Sequence, residues 1–179
     1  MQLILGGIFM KNGNFKEISV NSINENFFKL IGEKWMLITA GNRENLNMMT
    51  ASWGGVGVLW NKNVTFSFIR PNRYTFEFAE QNDHYTLSFY DDEFKSELSF
   101  CGTNSGRDVN KIEKTGFTPK FDEAAPYFEE AKLVLVCKKI YTQYLTPELF
   151  LDPSIEQNYP LKDYHKMYVG EIEKVLIKE

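Results

Sequence analysis

The residues best equipped for chemistry lie within 47–75. The stretch opens Asn47-Met-Met-Thr-Ala-Ser-Trp53, small hydroxyl side chains mixed with thioethers and an indole. Gly54, Gly55 and Gly57 follow and read as a bend, since glycine permits tight turns and close backbone approach to a ligand. Residues 64–70 alternate at strand period, with Val64, Phe66 and Phe68 on one face and Thr65, Ser67 and Ile69 on the other. Pro71 must stop that strand, and Asn72 is placed to N-cap a helix entered through Arg73, Tyr74 and Thr75. A strand feeding a helix N-terminus that carries hydroxyls, Arg70 and Arg73 makes a cradle for a flat, anionic ligand.

Other chemistries find little support. There are two histidines, His84 and His165, and no Gly-x-Ser-x-Gly elbow accompanies them. A P-loop for nucleoside triphosphates is absent, and His and acidic residues do not cluster as metal ligands. The two cysteines, Cys101 and Cys137, have no metal-ligand spacing. Cys137 falls in an apolar strand run and reads as a buried thiol, whereas Cys101 precedes Gly-Thr-Asn-Ser-Gly at a helix end near the ligand. A disulfide between them stays open, although the composition suits a reducing cytoplasm better. Elimination leaves an organic cofactor as the source of any difficult chemistry.

The elements that must position these residues fit one domain, 1–179, with 1–20 as a peripheral segment. Aromatic residues make up 15% of the chain, which points to an aromatic β core rather than to many aromatic ligand boxes. A net charge of −4, with lysines and arginines scattered singly, argues against nucleic-acid partners. Residues 1–10 are apolar but lack a basic start, a small-residue cleavage site and spanning length, so neither secretion nor a membrane is expected.

Along the chain, Asn12-Gly13 signals a turn, and 24–30 reads as one or two helical turns. Residues 34–40 form a strand apolar on both faces, and 74–81 a helix with Tyr74 and Phe78 one turn apart. Residues 84–90 alternate as a strand, with His84 structural beside Asp83. Asp91 can cap a helix whose stripe is Phe94, Leu98 and Cys101. Ser105-Gly-Arg-Asp108 has the form of a capping box, opening a helix that carries Val109 and Ile112 inward and ends at Gly116. Residues 131–141 are the strongest strand, 150–161 an irregular excursion, and 164–177 a long closing strand. No regular βαβ alternation occurs, so an antiparallel barrel of about six strands with inserted helices is favoured over a doubly wound sheet.

Five segments, in order, carry a resemblance: Asn47-Met-Met-Thr-Ala-Ser-Trp53, Phe68-Ile-Arg-Pro-Asn-Arg-Tyr-Thr75, Leu87-Ser-Phe89, Cys101-Gly-Thr-Asn-Ser-Gly-Arg-Asp108 and Asp163-Tyr-His-Lys-Met-Tyr-Val-Gly-Glu171. The chain resembles the flavin reductase family, and within it the flavoredoxin-like proteins with an FMN-binding split barrel. The resemblance implies a mainly β, six-stranded antiparallel split barrel, a homodimer with FMN near the subunit interface. It implies hydride transfer from NADH or NADPH to flavin, in some members for a partner oxygenase or other redox protein. The alternative is a flavoredoxin-like electron carrier without its own NAD(P)H activity; a split barrel holding another cofactor, such as haem, is more distant.

Carried onto this sequence, the resemblance places Asn47, Met49, Thr50, Ala51 and Ser52 along the isoalloxazine edge, with Trp53 stacking on the ring or packing in the core. Ile69, at the end of the following strand, would join them in binding the cofactor. Arg70 would meet the phosphate, with Arg73 and Thr75 sharing it, unless the arginines pair with Glu77 or Glu80. Ser105, Gly106 and Arg107 would offer helix N–H groups and charge to the phosphate or ribityl chain, with Lys111 one turn on. Cys101 and Gly102 would line the ligand by backbone. His165 would face nicotinamide or flavin in the catalytic position, or serve structurally.

Overall fold

The computed structural model describes residues 15–179. The Asn12-Gly13 turn and the reading of 1–10 therefore lie outside the described residues. In chain order the strands are β1 (Phe15–Ile18), β2 (Met36–Gly41), β3 (Leu46–Ala51), β4 (Gly54–Leu59), β5 (Lys62–Ile69), β6 (His84–Phe89), β7 (Pro119–Lys120), β8 (Tyr127–Phe128), β9 (Leu133–Tyr144) and β10 (Lys166–Lys178). Strands β7 and β8 make a small separate ribbon; the other eight form one antiparallel sheet ordered β3-β2-β6-β9-β10-β5-β4, with β1 added to β10. The helices are α1 (Phe27–Lys29), which runs on into a π-turn over Leu30–Lys34, α2 (Tyr74–Gln81), α3 (Lys95–Thr103) and α4 (Lys111–Thr115). Among the described residues no helix is long and apolar enough to cross a membrane.

The expected mainly β split barrel is what the chain forms. Six strands, β2, β3, β5, β6, β9 and β10, supply every fully buried strand residue of the central core, including Ile38, Met49, Ile69, Leu87, Leu135 and Val175. Strands β1 and β4 contribute only the partly buried Ile18 and Val56. A second cluster around Leu98, Cys101, Phe117 and Phe128 fills the space under α3 and the β7–β8 ribbon. The split lies between β3 and β4. They are joined by Ser52-Trp53 alone, yet sit at opposite ends of the strand order and do not pair.

Several local readings need correction. The glycine run at 54–57 is not a bend but strand β4, with Gly55 opposite Phe66 and Gly57 opposite Val64. The turn comes later, at Trp60 and Asn61, both at positive φ (51° and 59°), as a two-residue hairpin between twisted strands requires. Asn72 does not cap α2: Arg73 occupies that position without a side-chain bond, and the Asn72 amide donates instead to Asp163 Oδ2 at 2.9 Å. Nor does Ser105 open a helix. Its Oγ accepts from the Arg107 N–H two residues on, closing a local turn, and α4 begins later with Asn110 accepting from the Glu113 N–H. Gly116 ends α4 in the left-handed conformation, as the sequence indicated. Strand β1, by contrast, has no sequence signal of its own. Both cysteines are free and buried, so no disulfide forms.

The faces of β5 alternate as expected, but the hydroxyl face is the inner one: Thr65 and Ser67 are fully buried while Phe66 and Phe68 are half-exposed. The reason is Tyr85, whose ring fills the barrel centre and whose hydroxyl lies 2.9 Å from Thr65 Oγ1. Burial pushes the Tyr85 phenol well up and holds the Cys137 thiol up at about 12, so both stay neutral. A Cβ at Gly170 would fall 2.3 Å from the Tyr85 hydroxyl and 3.0 Å from Cys137 Cβ. Gly170→Ala is therefore expected to destabilise the fold by about 1–3 kcal/mol through overpacking. Urea unfolding checks it, and the double variant Gly170→Ala/Tyr85→Phe, which removes the nearest atom, should lose less than the two single changes added together.

Candidate functional site

The split leaves β3 as an edge strand with one row of unpaired backbone groups. The Met48 carbonyl points out of the sheet along this edge, where it accepts from Lys111 Nζ at 2.9 Å. Alternation makes Thr50 present its backbone in the same direction. Helix α3 packs across this edge: Thr50 Oγ1 donates to Leu98 O at 2.5 Å, and a Cβ on Gly102 would lie 3.3 Å from Thr50 Cβ. The last carbonyls of α3, which have no partner within the helix, are met by cations. Lys111 Nζ donates to Cys101 O at 2.8 Å, and Arg73 Nη2 donates to Gly102 O at 2.7 Å.

Two clefts adjoin there and share Arg73. The first, about 200 Å³, has Met49, Thr50, Ala51 and Ser52 along one wall. Trp53, Phe68, Arg70, Gly102 and His165 complete it. The second, about 230 Å³, is lined by Asn47, Asn72, Thr75, Ser105, Gly106 and Lys111. Gly106 is needed here, because a Cβ would fall 2.2 Å from Asn47 Oδ1. Asn47 in turn is fixed by its amide donating to Thr75 Oγ1 at 2.8 Å. No carboxylate lines either cleft among the described residues. In a chain of net charge −4, that exclusion of acids is the strongest electrostatic feature of the site.

The four cations differ in how they are used. Arg70 Nη1 is held by both Asp163 oxygens at 2.9 and 3.0 Å, and its Nη2 donates to Asn158 O at 2.8 Å. Arg107 lies over the Tyr74 ring at 4.7 Å and pairs with Glu77. Arg73 and Lys111 have carbonyl partners but no carboxylate among the described residues. Desolvation first, and Arg73 beside it, pull the buried Lys111 ammonium down to about 8, and Arg73 is lowered chiefly by desolvation. The site thus holds two part-desolvated positive charges without a counter-ion.

His165 stands at the entry to β10, 8% exposed, with its ring 5.2 Å from Trp53 and Nδ1 2.8 Å from the Tyr159 hydroxyl. Desolvation, then the Arg70 charge, drives its pKa down to about 4, so the ring is neutral at physiological pH.

A family model described as a flavin reductase-like domain matches residues 28–179. The chain belongs to the flavin reductase-like domain family. No curated protein matches. Among solved structures, flavoredoxin from Methanosarcina acetivorans is similar at 22% identity, with a TM-score of 0.64 over 82% of this chain and 69% of that one. An FMN-binding domain of a flavin reductase-like enzyme from Shewanella baltica gives 16% identity and a TM-score of 0.67 over 93% and 78%. Nitrilotriacetate monooxygenase component B from Bacillus cereus gives 16% and 0.64 over 90% and 81%. At these identities the likeness establishes the fold, a split barrel, while the family model establishes the flavin reductase type of domain.

Within this family member, most of the residues singled out in the sequence do converge on the two clefts. Three do not. Ile69 is 2% exposed inside the core and lines neither cleft. Cys101 presents only its carbonyl, to Lys111; its thiol is buried under α3 and, through desolvation, raised to about 11, which removes it from redox chemistry near neutrality. Arg107 faces outward beside α2. The alternative pairing of Arg70 and Arg73 with Glu77 or Glu80 does not form: Asp163 takes Arg70, Glu77 takes Arg107, and Glu80 takes Lys166 at 2.6 Å. Tyr159 and Asp163 belong to the site and carried no periodic or motif signal, apart from Asp163 opening the last segment quoted above. His84 pairs with Glu173 at 3.0 Å, away from the clefts, as a structural residue should.

The His165 environment has a consequence for pH. Because its folded pKa lies near 4, below the ordinary 6.5, the unfolded chain binds the proton first as pH falls. Its stabilising contribution is complete above about 6.5 and is lost as pH falls towards 4. Urea unfolding at pH 7 and pH 4.5 should show the wild type losing more stability than His165→Gln over the same interval.

Proposed function

We propose that this protein is an FMN-binding oxidoreductase that passes hydride from NADH or NADPH to flavin. The observation that carries this reading is the pair of adjoining, acid-free clefts that share Arg73. One has an open strand edge and aromatic walls suited to a flat ring; the other has two cations without counter-ions suited to a phosphate. The residues therefore fit FMN: the first cleft would take the isoalloxazine, and Arg73, Lys111, Thr75 and Ser105 would hold the phosphate. Bound FMN would supply the hydride-accepting ring. The protein's part is to orient and to exclude water. The β3 edge offers backbone hydrogen bonds to ring heteroatoms, Trp53 and Phe68 wall the cleft, and the neutral His165 offers one further polar atom.

The charge assignment within the site follows from the pairing described above. Arg70 and Arg107 are engaged by carboxylates, so the phosphate falls to Arg73 and Lys111. Lys111→Met and Arg73→Ala should each weaken FMN by about 2–5 kcal/mol, as for a desolvated charge contact. Riboflavin, which lacks the phosphate, should be weakened far less. Equal loss for both ligands would move these cations out of the phosphate site. Because free Lys111 titrates near 8, FMN affinity should also fall as pH rises above that value, where binding requires proton uptake. Titration of FMN fluorescence at pH 7 and 9 reads both effects.

We further propose one domain acting as a symmetric cytoplasmic homodimer. Trp53, Trp60, Tyr141 and Tyr144 remain 41–56% exposed, and Trp60 meets Tyr141 edge-on at 5.9 Å, so part of this aromatic surface suits a second copy of the chain. Light scattering at micromolar concentration should give twice the monomer mass. For the activity itself, an absorption spectrum identifies the bound chromophore, and stopped-flow mixing with NADH and NADPH should bleach the flavin. No bleaching with either nucleotide would leave an electron carrier, and a haem spectrum would overturn the reading.

A further inference from the structure

We propose that Tyr159 is a positioning residue for His165: its hydroxyl donates to Nδ1 and so fixes the ring as the tautomer with the proton on Nε2, aimed into the ring cleft. The inference rests on the proposed function for its purpose, though not for its geometry. Tyr159 sits at the end of the excursion between β9 and β10, next to the short 3₁₀ helix Pro153–Asn158. It is 3% exposed, and its hydroxyl lies 2.8 Å from His165 Nδ1. The ring is clamped by Phe150, stacked at 6.0 Å, by Tyr164 at 4.9 Å, and by the Arg70 guanidinium 5.0 Å from its centroid.

The direction of the hydrogen bond follows from counting protons. Nδ1 is the one acceptor at the Tyr159 hydroxyl among the described residues; the His165 backbone N–H beside it can only donate. Were Nδ1 protonated, the phenolic proton would be buried without an acceptor, which is unfavourable. With the hydroxyl donating, the phenolic proton is satisfied, and the ring proton falls to Nε2, which among the described residues has no protein partner and is not one of the fully occluded unpartnered atoms. His165 lines the cleft with Trp53 and Phe68, and Nδ1 is turned to Tyr159, which leaves Nε2 as the ring nitrogen available to that cleft. The nearby charges agree. Arg70 disfavours a second proton on the ring, Asp163 is already bound to Arg70, and the ring stays neutral. A neutral donor in that place is suited to an acceptor atom on a ring that gains electron density, such as a carbonyl oxygen. It cannot act as a base there, since the Nε2 lone pair is taken.

The test is carried by histidine-labelled ¹⁵N NMR of the flavin-free protein at pH 7, with His84→Gln assigning the two rings. The expected result is a protonated Nε2 and an unprotonated Nδ1 for His165. Tyr159→Phe, which keeps the ring and removes the hydroxyl, should shift His165 towards a tautomer mixture. A protonated Nδ1 in the wild type, or an unchanged tautomer in Tyr159→Phe, would overturn the inference. Should Tyr159→Phe fail to fold, the wild-type spectrum alone still decides the tautomer. With flavin bound, Tyr159→Phe should slow bleaching by NAD(P)H about tenfold, one hydrogen bond's worth, with a smaller effect on flavin affinity. An unchanged rate would remove the positioning role. Absence of bleaching in the wild type would sink the reductase reading instead and leave the tautomer assignment to the spectrum.

Discussion

An unclosed sheet governs this molecule. A barrel of this size fills its interior with side chains, here the Tyr85 ring, the Thr65 and Ser67 hydroxyls and the Cys137 thiol, and has no room for a ligand inside. A ligand would therefore have to use the outside, and the split between β3 and β4 offers a place, since it leaves β3 a free hydrogen-bonding edge among the described residues. An exposed edge is a liability for pairing with other strands. The protein covers it with the end of a helix rather than with another strand, and the end chosen is the electronegative one. The carbonyls of α3 and of β3 then converge, and cations are drawn between them.

This explains why the cations of the site are Lys111 and Arg73. Lys111 bridges Met48 O on the strand and Cys101 O on the helix, tying the two elements together across the split. Arg73, at the start of α2, does the same for Gly102. Arg70 and Arg107 look equivalent in a sequence, but their guanidinium groups serve other ends. Arg70 fastens the excursion between β9 and β10 through Asp163 and Asn158, and so indirectly seats Tyr159 against His165. Arg107 fastens the 104–109 turn to α2 through the Asn72 carbonyl and Glu77. A motif identifies a charge; only packing determines where that charge is directed.

What the sequence made legible was the periodic part. Strands β2, β5, β6, β9 and β10 were visible because each carries an apolar or alternating run, and α2 because Tyr74 and Phe78 lie one turn apart, their rings 5.0 Å apart edge-on. The glycines of β4 misled because a strand that packs against a broad aromatic ring can dispense with side chains of its own, as Gly55 and Gly57 do beside the Phe66 ring. The Ser105 capping box failed because a serine hydroxyl has two nearby N–H groups to choose from, and the turn two residues on competes with the helix three residues on. The candidate site was readable as a set of residues and unreadable as a set of roles. Its members came from segments with recognisable order, whereas the partners of Arg70, Arg107 and His165 are set by contacts spanning the fold or by the irregular excursion, where no period operates.

The choice of carbonyls rather than carboxylates to hold Lys111 and Arg73 bears directly on how an anion would be held. A cation buried against a carboxylate is already neutralised, and an incoming phosphate would have to break that pair. A cation buried against carbonyl dipoles is oriented and partly desolvated, but its charge remains available, as the lowered pKa of Lys111 reflects. Binding an anion there relieves an unfavourable state instead of exchanging one favourable pair for another. The same arrangement couples ligand and fold: without the anion the two charges strain against their burial, and with it they bind α3 more firmly to the edge of β3. An anion in the cleft that holds Lys111 should therefore tighten the junction that forms one wall of the neighbouring cleft, so that the two halves of the site would reinforce each other through Arg73, the residue they share.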